Sequence, residues 1–114
     1  MKVQKHLLLC ASPTKQKCFK GKVGTKTWVS LKEAIKHLNT NSKTDLGIIL
    51  RTKVDCLQIC KNGPILLIWP DGIWYEKVTS ERVIKIIESH VIKGVPIDKW
   101  IFKRTPFLEN LIEN

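Results

Sequence analysis

The order of the apolar segments constrains the fold of this chain more than any other feature, because those segments change period along the sequence. Short aliphatic runs, typical of strands, alternate with segments whose apolar residues recur every three or four positions, as on one face of a helix. The strand-like runs are Val3–Leu9, Leu46–Thr52, Ile65–Trp69 and Ile73–Val78. The helical stripes are Trp28, Leu31, Ile35 and Leu38, and then Val83, Ile86, Ile87 and Val91. The order of elements is therefore strand, helix, strand, followed by strand, strand, helix. This order predicts an α/β fold with a four-stranded mixed sheet.

The connections refine this prediction. The first strand–helix–strand unit predicts a parallel pair with a right-handed crossover. Pro70–Gly72 is a turn signature that predicts a hairpin between the third and fourth strands. Thr79 or Ser80 is expected to cap the last helix and Gly94 to end it, whereas the tail from Ile97 has no clean period and is expected to pack loosely. This is the element order of a thioredoxin-like domain, α/β with a four-stranded mixed sheet flanked by helices.

Length and composition bound the class of protein. The 114 residues predict a single domain over 1–114, and 43% hydrophobic with 26% charged residues is typical of a globular chain. No apolar run approaches the roughly 18–20 residues of a membrane span. Met1–Cys10 makes a poor signal peptide, since its apolar run is short and lysines follow it. We therefore expect a soluble cytoplasmic protein without a membrane partner.

The charge is strongly basic and uneven. The formal net charge is +10, and positions 1–43 hold ten lysines against a single acidic residue, Glu33. Positions 44–114 hold ten basic and nine acidic residues. Such a patch attracts acidic partners, although a solvated basic surface explains it equally well. The aromatic residues of the hairpin lie outside the lysine-rich stretch, which disfavours nucleic acid as the partner.

No set of residues in the sequence indicates catalysis. We find no serine–histidine–aspartate set, no paired carboxylates and no glycine-rich phosphate loop. His6, His37 and His90 are too far apart for metal-ligand spacing and are expected to be hydrogen-bonded or exposed. Asp71 is interpreted as a turn residue. The dithiol chemistry of thioredoxins requires a Cys-x-x-Cys motif, which this chain lacks.

Four cysteines are the strongest chemical signal. Cys10 follows the first strand and Cys18 lies in the next loop, while Cys56 and Cys60 follow the second strand. Loops after parallel strands open at the same edge of a sheet, so we expect four sulfurs at one end of the domain. In a reducing compartment, such a set favours metal binding over disulfides.

Several ligands fit four thiolates. Zinc, a mononuclear iron and an iron–sulfur cluster all accept them. Zinc sites usually show two close cysteine pairs. The pair with three intervening residues meets that spacing, and the pair with seven does not. A wider [2Fe–2S] site suits the spacing better. Two disulfides, four buried cysteines and a four-cysteine zinc module that recruits an acidic partner remain alternatives.

The second half of the chain resembles a known family. Cys56–Pro64, the apolar Ile65–Trp69 and Pro70–Tyr75 are similar to the thioredoxin-like [2Fe–2S] ferredoxins. That family includes the small cluster-carrying subunit of NADH:quinone oxidoreductase. Val3–Cys10 matches the first strand and first ligand, and Thr79–Gly94 the last helix. The first cysteine spacer is shorter than is usual in the family, and the basic surface departs from the acidic one common among ferredoxins.

The resemblance implies an electron-transfer protein rather than an enzyme. It implies a [2Fe–2S] cluster, with Cys10 and Cys18 on one iron and Cys56 and Cys60 on the other. It also implies a redox partner protein, for which the lysines suggest an acidic docking surface. A homodimer, or a place in a larger oxidoreductase, is possible within the family.

Overall fold

A computed structural model describes residues 3–10, 23–41, 48–54 and 63–105 of the chain. Strand β1 covers Val3–Cys10, helix α1 Val23–Asn41 and strand β2 Ile48–Val54. Strand β3 covers Leu66–Trp69, strand β4 Ile73–Tyr75 and helix α2 Ser80–Ile86. A π-helical segment, Ile87–Ile92, continues α2, and a 3₁₀ turn, Asp98–Trp100, leads into strand β5 at Ile101–Arg104.

The sheet is mixed, with strand order β2-β1-β3-β4-β5. Strands β1 and β2 are parallel, with Cys10 opposite Val54 at their carboxyl ends. Strands β3 and β4 form the predicted hairpin, and β3 pairs antiparallel to β1. The predicted α/β class, parallel pair and hairpin are therefore confirmed.

Within the described residues, the sheet has five strands rather than the predicted four. Strand β5 pairs antiparallel with β4, where Ile73 lies opposite Arg104. The expectation of a loosely packed tail from Ile97 was wrong over this stretch. Ile101 and Phe102 are half-buried and are followed by exposed Lys103 and Arg104, so the strand lacks the alternation that reveals a half-buried strand.

Helix α1 begins earlier than predicted. In the sequence, Ser30 and Glu33 could form a capping box, whereas Trp28 at the head of the apolar stripe suggests a start nearer Thr25 or Thr27. The helix already includes Val23. The hydroxyl of Thr27 lies 2.8 Å from the carbonyl oxygen of Val23, four residues back, as expected inside a helix. Ser30 is therefore an interior residue of the helix and not its cap.

The second helix begins as predicted. The Thr79 side chain accepts a hydrogen bond from the amide of Arg82, which confirms the predicted cap. After Ile86 the helix widens into the π-helical segment, a rare geometry that is enriched at functional sites. Gly94 then adopts a φ of +76°, which suits a helix-terminating glycine.

Two apolar clusters lie on opposite faces of the sheet. The larger one joins one face of the strands, including Leu7, Leu9 and Tyr75, to both helices. Side chains alternate along a strand, so Cys10 points to the other face. There Cys10 and Ile65 are fully buried and pack against partly buried Val54, Trp74 and Phe102.

Candidate metal centre

Cys10 is the last residue of β1 and is completely buried. Its amide donates a hydrogen bond to the carbonyl oxygen of Ile65 at 3.1 Å. Val54, the last residue of β2, is its partner across the parallel pair. Three strand ends, those of β1 and β2 and the entry to β3, therefore meet at this one cysteine.

A buried turn fixes the entry to β3. Pro64 is buried, and the Gly63–Pro64 peptide bond is cis. The Pro64 carbonyl accepts a hydrogen bond of 2.9 Å from the amide of Val78, which joins this turn to the segment just before α2. In the sequence, Gly63-Pro64 is typical of a sharp turn into the third strand, and this geometry agrees with that interpretation.

The other three predicted ligands, Cys18, Cys56 and Cys60, lie outside the described residues. The residues that flank the segments with these three cysteines, however, are described. Positions 55–62, which contain two of them, are flanked by Val54 and Gly63. Both flanks belong to the strand ends that meet at Cys10, whereas positions 11–22, with Cys18, connect Cys10 itself to α1.

Aromatic residues form a wall beside Cys10. Trp74 and Phe102 make an edge-to-face pair, with ring centroids 6.4 Å apart and planes at 74°. The indole N–H of Trp74 donates to the Thr105 hydroxyl at 2.6 Å, and the ammonium of Lys103 lies 5.6 Å from the ring centroid. From the sequence, at least two of Trp69, Trp74 and Tyr75 are expected to pack in the core or at an interface, and Trp74 and Tyr75 do pack.

A chain of polar contacts links the far end of the sheet to the last helix. The Lys5 ammonium donates to both carboxylate oxygens of Asp71, at 2.8 and 2.9 Å. Asp71 also bonds to Nε2 of His90, whose Nδ1 lies 2.7 Å from the Tyr75 hydroxyl. The amide of Ile97 donates to that hydroxyl at 3.1 Å. Asp71, interpreted as a plain turn residue, therefore ties β1 and the last helix to the hairpin.

The contacts determine the tautomer of His90. The ionised Asp71 carboxylate can only accept, so Nε2 of His90 must donate to it, and burial disfavours a second proton on the ring. Nδ1 then accepts, and the ring is neutral with its proton on Nε2, donated to Asp71. The buried stripe Val83, Ile87, His90 shows i, i+4, i+7 spacing, the one sequence signal that could have placed His90 inside.

Burial and charge shift the pKa values of this chain of contacts. Burial lowers the pKa of His90 below 6.5, and the Asp71 carboxylate only partly offsets this. Burial raises the pKa of Asp71, but hydrogen bonds from Lys5 and His90 outweigh that effect and bring it below 3.8. Burial also raises the pKa of the Tyr75 hydroxyl, which keeps it protonated near neutrality.

The other two histidines are not part of the series of polar contacts that runs from Lys5 to Tyr75. Nε2 of His6 lies 2.6 Å from the Thr52 hydroxyl, on the sheet face shared with Cys10. His37 is exposed on α1. Across the described ranges, no group of three or more His, Cys, Asp or Glu side chains is arranged to hold a metal ion. No helix in the same ranges is long and apolar enough to cross a membrane.

The comparisons with known proteins point to one kind of protein. No protein-family model matches the chain. A "Ferredoxin, 2Fe-2S" of Aquifex aeolicus (strain VF5) is 34% identical over 53 residues, which are 46% of this chain and 48% of that protein. The chain thus matches about half the length of that relative. A "Ferredoxin, 2Fe-2S" of Clostridium pasteurianum is 29% identical over 89 residues, 78% of this chain and 86% of the relative.

The solved structures agree with these relatives. A thioredoxin-like [2Fe–2S] ferredoxin from Aquifex aeolicus matches with a TM-score of 0.73 at 24% identity, over 90% of this chain and 94% of that one. A crystal structure of the wild-type protein of that kind matches at 0.67, over 88% and 97%. The thioredoxin-like fold and the resemblance to these ferredoxins are both confirmed. The relation to the NADH:quinone oxidoreductase subunit stays a prediction.

Proposed function

We propose that this chain is a ferredoxin of the thioredoxin-like [2Fe–2S] kind, a one-electron carrier that binds a [2Fe–2S] cluster through Cys10, Cys18, Cys56 and Cys60. When bound, the cluster supplies reversible one-electron chemistry. The chain supplies the thiolates, their spacing and the exclusion of water. The domain that does this is the whole of 1–114.

The meeting of three strand ends at Cys10 is the observation that carries this proposal. Cys56 is two residues beyond Val54, and two residues of extended chain span at most about 7 Å. Cys60 stands three residues before Gly63, which precedes the Ile65 that holds the Cys10 amide. Both ends of the segment with these two cysteines are therefore anchored beside Cys10.

The donor set suits the group. Four cysteines are the ligand complement of a [2Fe–2S] cluster. Cys10 and Cys18 are assigned to one iron and Cys56 and Cys60 to the other, as the family pattern implies. The complete burial of Cys10 among Ile65, Val54 and the aromatic wall provides the apolar surroundings that keep solvent from such a site.

The backbone at Cys10 also has a defined role. Its amide is bonded to the Ile65 carbonyl, so this N–H holds the strand ends together. The carrier acts with a redox partner protein, for which the excess of lysines in the first 43 residues suggests an acidic docking surface. We place the protein in the cytoplasm, where reducing conditions keep four thiols available. A homodimer is compatible with the family.

Single replacements of the four cysteines by alanine test the proposal. Each variant is expected to lose most of its bound iron and sulfide and its visible absorbance after anaerobic reconstitution. Ile65→Val, which changes the packing beside Cys10 without removing a thiol, is the matched control and should keep them. Stoichiometric zinc in the native protein, or full iron content in a cysteine variant, would contradict the ligand assignment.

A further inference from the structure

Strand β2 lies at an edge of the sheet, and α1 already occupies part of that edge. The Ile49 amide donates to the side-chain oxygen of Asn39 at 2.9 Å, and the Asn39 amide donates to the Ile49 carbonyl at 2.9 Å. One side chain thus satisfies both backbone groups, as a neighbouring strand would. Both groups of Ile49 therefore point away from β1.

The same direction holds at every second residue. Backbone groups alternate sides along a strand, so the amide and carbonyl of Arg51 and Lys53 also point away from β1. No strand within the described ranges pairs with this side of β2. We call the outward backbone groups of Arg51 and Lys53 the β2 edge.

The β2 edge is bordered by positive charge. Arg51 and Lys53 are exposed, and the guanidinium of Arg51 lies 5.3 Å from the centre of the Trp28 ring. Between α1 and β2 runs a groove of about 430 Å³, whose lining combines Lys36 and Arg51 with the uncharged Asn39 and Thr40 and with aliphatic side chains. An adjoining groove of about 270 Å³ adds Lys32 and a single acid, Glu33.

We propose that the β2 edge binds an extended acidic segment of a partner protein, which adds to the sheet as a further strand. Main-chain hydrogen bonds to Arg51 and Lys53 would supply affinity, and carboxylates facing Arg51, Lys53 and Lys36 would supply selectivity. This inference rests on the proposed function, because the partner it describes is the redox partner of the electron carrier. Lys53 is one residue from Val54, so the bound segment would bring its protein to the end of the sheet that holds Cys10.

The charges argue against a second copy as the occupant. Two β2 strands side by side would place Arg51 and Lys53 of one chain next to the same cations of the other. Like charges at neighbouring positions on paired strands are destabilising. An acidic strand has the opposite relation, and its binding weakens as salt screens the charges.

A labelled nine-residue peptide of alternating glutamate and valine is the probe. Its binding to the full holo-protein is measured by fluorescence anisotropy at low and high salt. A lysine–valine peptide controls for charge. A glutamate–valine peptide N-methylated at alternate residues controls for strand pairing, because it keeps the carboxylates but loses hydrogen-bond donors. We expect only the unmethylated acidic peptide to bind.

Charge reversals locate the site. The double variant Arg51→Glu/Lys53→Glu is expected to bind the acidic peptide at least about tenfold more weakly. Lys85→Glu with Lys93→Glu changes the net charge equally at exposed positions of the last helix and should change binding by less than about twofold. Lys36→Glu with Lys53→Glu repeats the test without disturbing the Arg51–Trp28 contact.

Amide hydrogen exchange provides the residue-level readout. Bound peptide should slow the exchange of the Arg51 and Lys53 amides and leave that of Ile49 unchanged, since Asn39 already occupies it. Equal binding of the methylated peptide, or unchanged exchange at Arg51 and Lys53, would overturn the proposal. A protein that binds the peptide but no cluster would instead refute the proposed electron-carrier function, because the two readouts are independent.

Discussion

His90 and Asp71 show how a single buried contact shapes the response to pH. His90 is only 1% exposed and contacts the Tyr75 hydroxyl on one side and Asp71 on the other. Burial lowers the pKa of His90 and keeps the ring neutral, although the Asp71 carboxylate acts in the opposite direction. Lys5, Arg104 and Asp71 are the charged groups that act on it. Protonation would require Nδ1 to donate to a hydroxyl that already accepts from the backbone.

The free energy of unfolding is therefore expected to fall as the pH drops below about 6.5. Because the folded-state pKa of His90 is lowered, the unfolded chain binds a proton first, which favours unfolding in that range. Asp71, whose pKa is also lowered, adds a loss of stability only below about 3.8. Urea denaturation between pH 5 and 8 measures the effect, and His90→Gln should flatten the curve. An equally steep curve in that variant would show that other groups cause the dependence.

Gly72 offers a second prediction at this scale. It has a φ of +68°, and an added Cβ would lie 2.6 Å from the carbonyl oxygen of Thr105. Gly72→Ala should cost about 2–3 kcal/mol of stability, from the left-handed backbone and the clash together. Gly94→Ala is the control, since Gly94 has a φ of +76° but nothing within 4 Å of the added atom, and should cost about 1 kcal/mol. Equal losses in thermal unfolding would contradict the role of the Thr105 contact.

At the scale of elements, one buried hydroxyl joins α1 to the start of α2. The Thr27 side chain is completely buried, and its oxygen lies 2.9 Å from the carbonyl of Val78 and 2.8 Å from that of Val23. A hydroxyl has one proton, so it is shared between these two carbonyls. Val78 in turn bonds to Pro64, which connects the helices to the turn beside Cys10.

Thr27→Val should therefore destabilise the protein by about 1–3 kcal/mol, because it keeps the shape and leaves the Val78 carbonyl without its donor. Thr27→Ser, which keeps the hydroxyl and loses a methyl group, is the control. Urea denaturation of both variants separates packing from hydrogen bonding. A valine variant as stable as the serine variant would show that the contact contributes little.

Element type was easier to predict from the sequence than element boundaries. The hairpin followed from Pro70–Gly72 between two apolar runs, and both helices followed from their stripes. The start of α1 was misplaced because its first described turn is held by a tertiary contact, from the Thr27 hydroxyl to the Val78 carbonyl. Strand β5 was missed because Ile101–Arg104 lack alternation and are ordered by pairing with β4, a contact that no local pattern encodes.

Only part of the candidate site could be predicted from the sequence, because strand topology can be inferred from local patterns and long-range side-chain contacts cannot. Loops after parallel strands share an edge, and the structure does bring Cys10 to Val54. The placement of Cys18, Cys56 and Cys60 lies outside the described residues and stays a prediction. The chain of contacts from Lys5 to Tyr75 joins positions 66 residues apart at its Lys5–Asp71 pair, beyond the reach of spacing arguments.

At the scale of the whole molecule, the formal net charge of +10 is the property that bears most on the proposed redox chemistry. Lys15, Lys17, Lys20 and Lys22 stand close to Cys18 in the sequence. Reduction adds a negative charge to the proposed site, so neighbouring cations should stabilise the reduced form.

Replacement of those four lysines by glutamine is expected to lower the reduction potential, with a difference that shrinks as salt is added. The control of equal net charge is a variant in which glutamine replaces Lys77, Lys85, Lys93 and Lys99. Its reduction potential should stay near that of the native protein. Voltammetry at two ionic strengths measures both. Equal shifts in the two variants would mean that net charge, and not the position of the lysines, sets the potential.

The most direct test of the central claim is the electron paramagnetic resonance spectrum of anaerobically purified protein before and after dithionite reduction. We expect a silent oxidised protein and, on reduction, an S = 1/2 signal that integrates to about one spin per chain, as expected for a [2Fe–2S] centre. A protein that shows no such signal after reconstitution with iron and sulfide would contradict the assignment as an electron carrier.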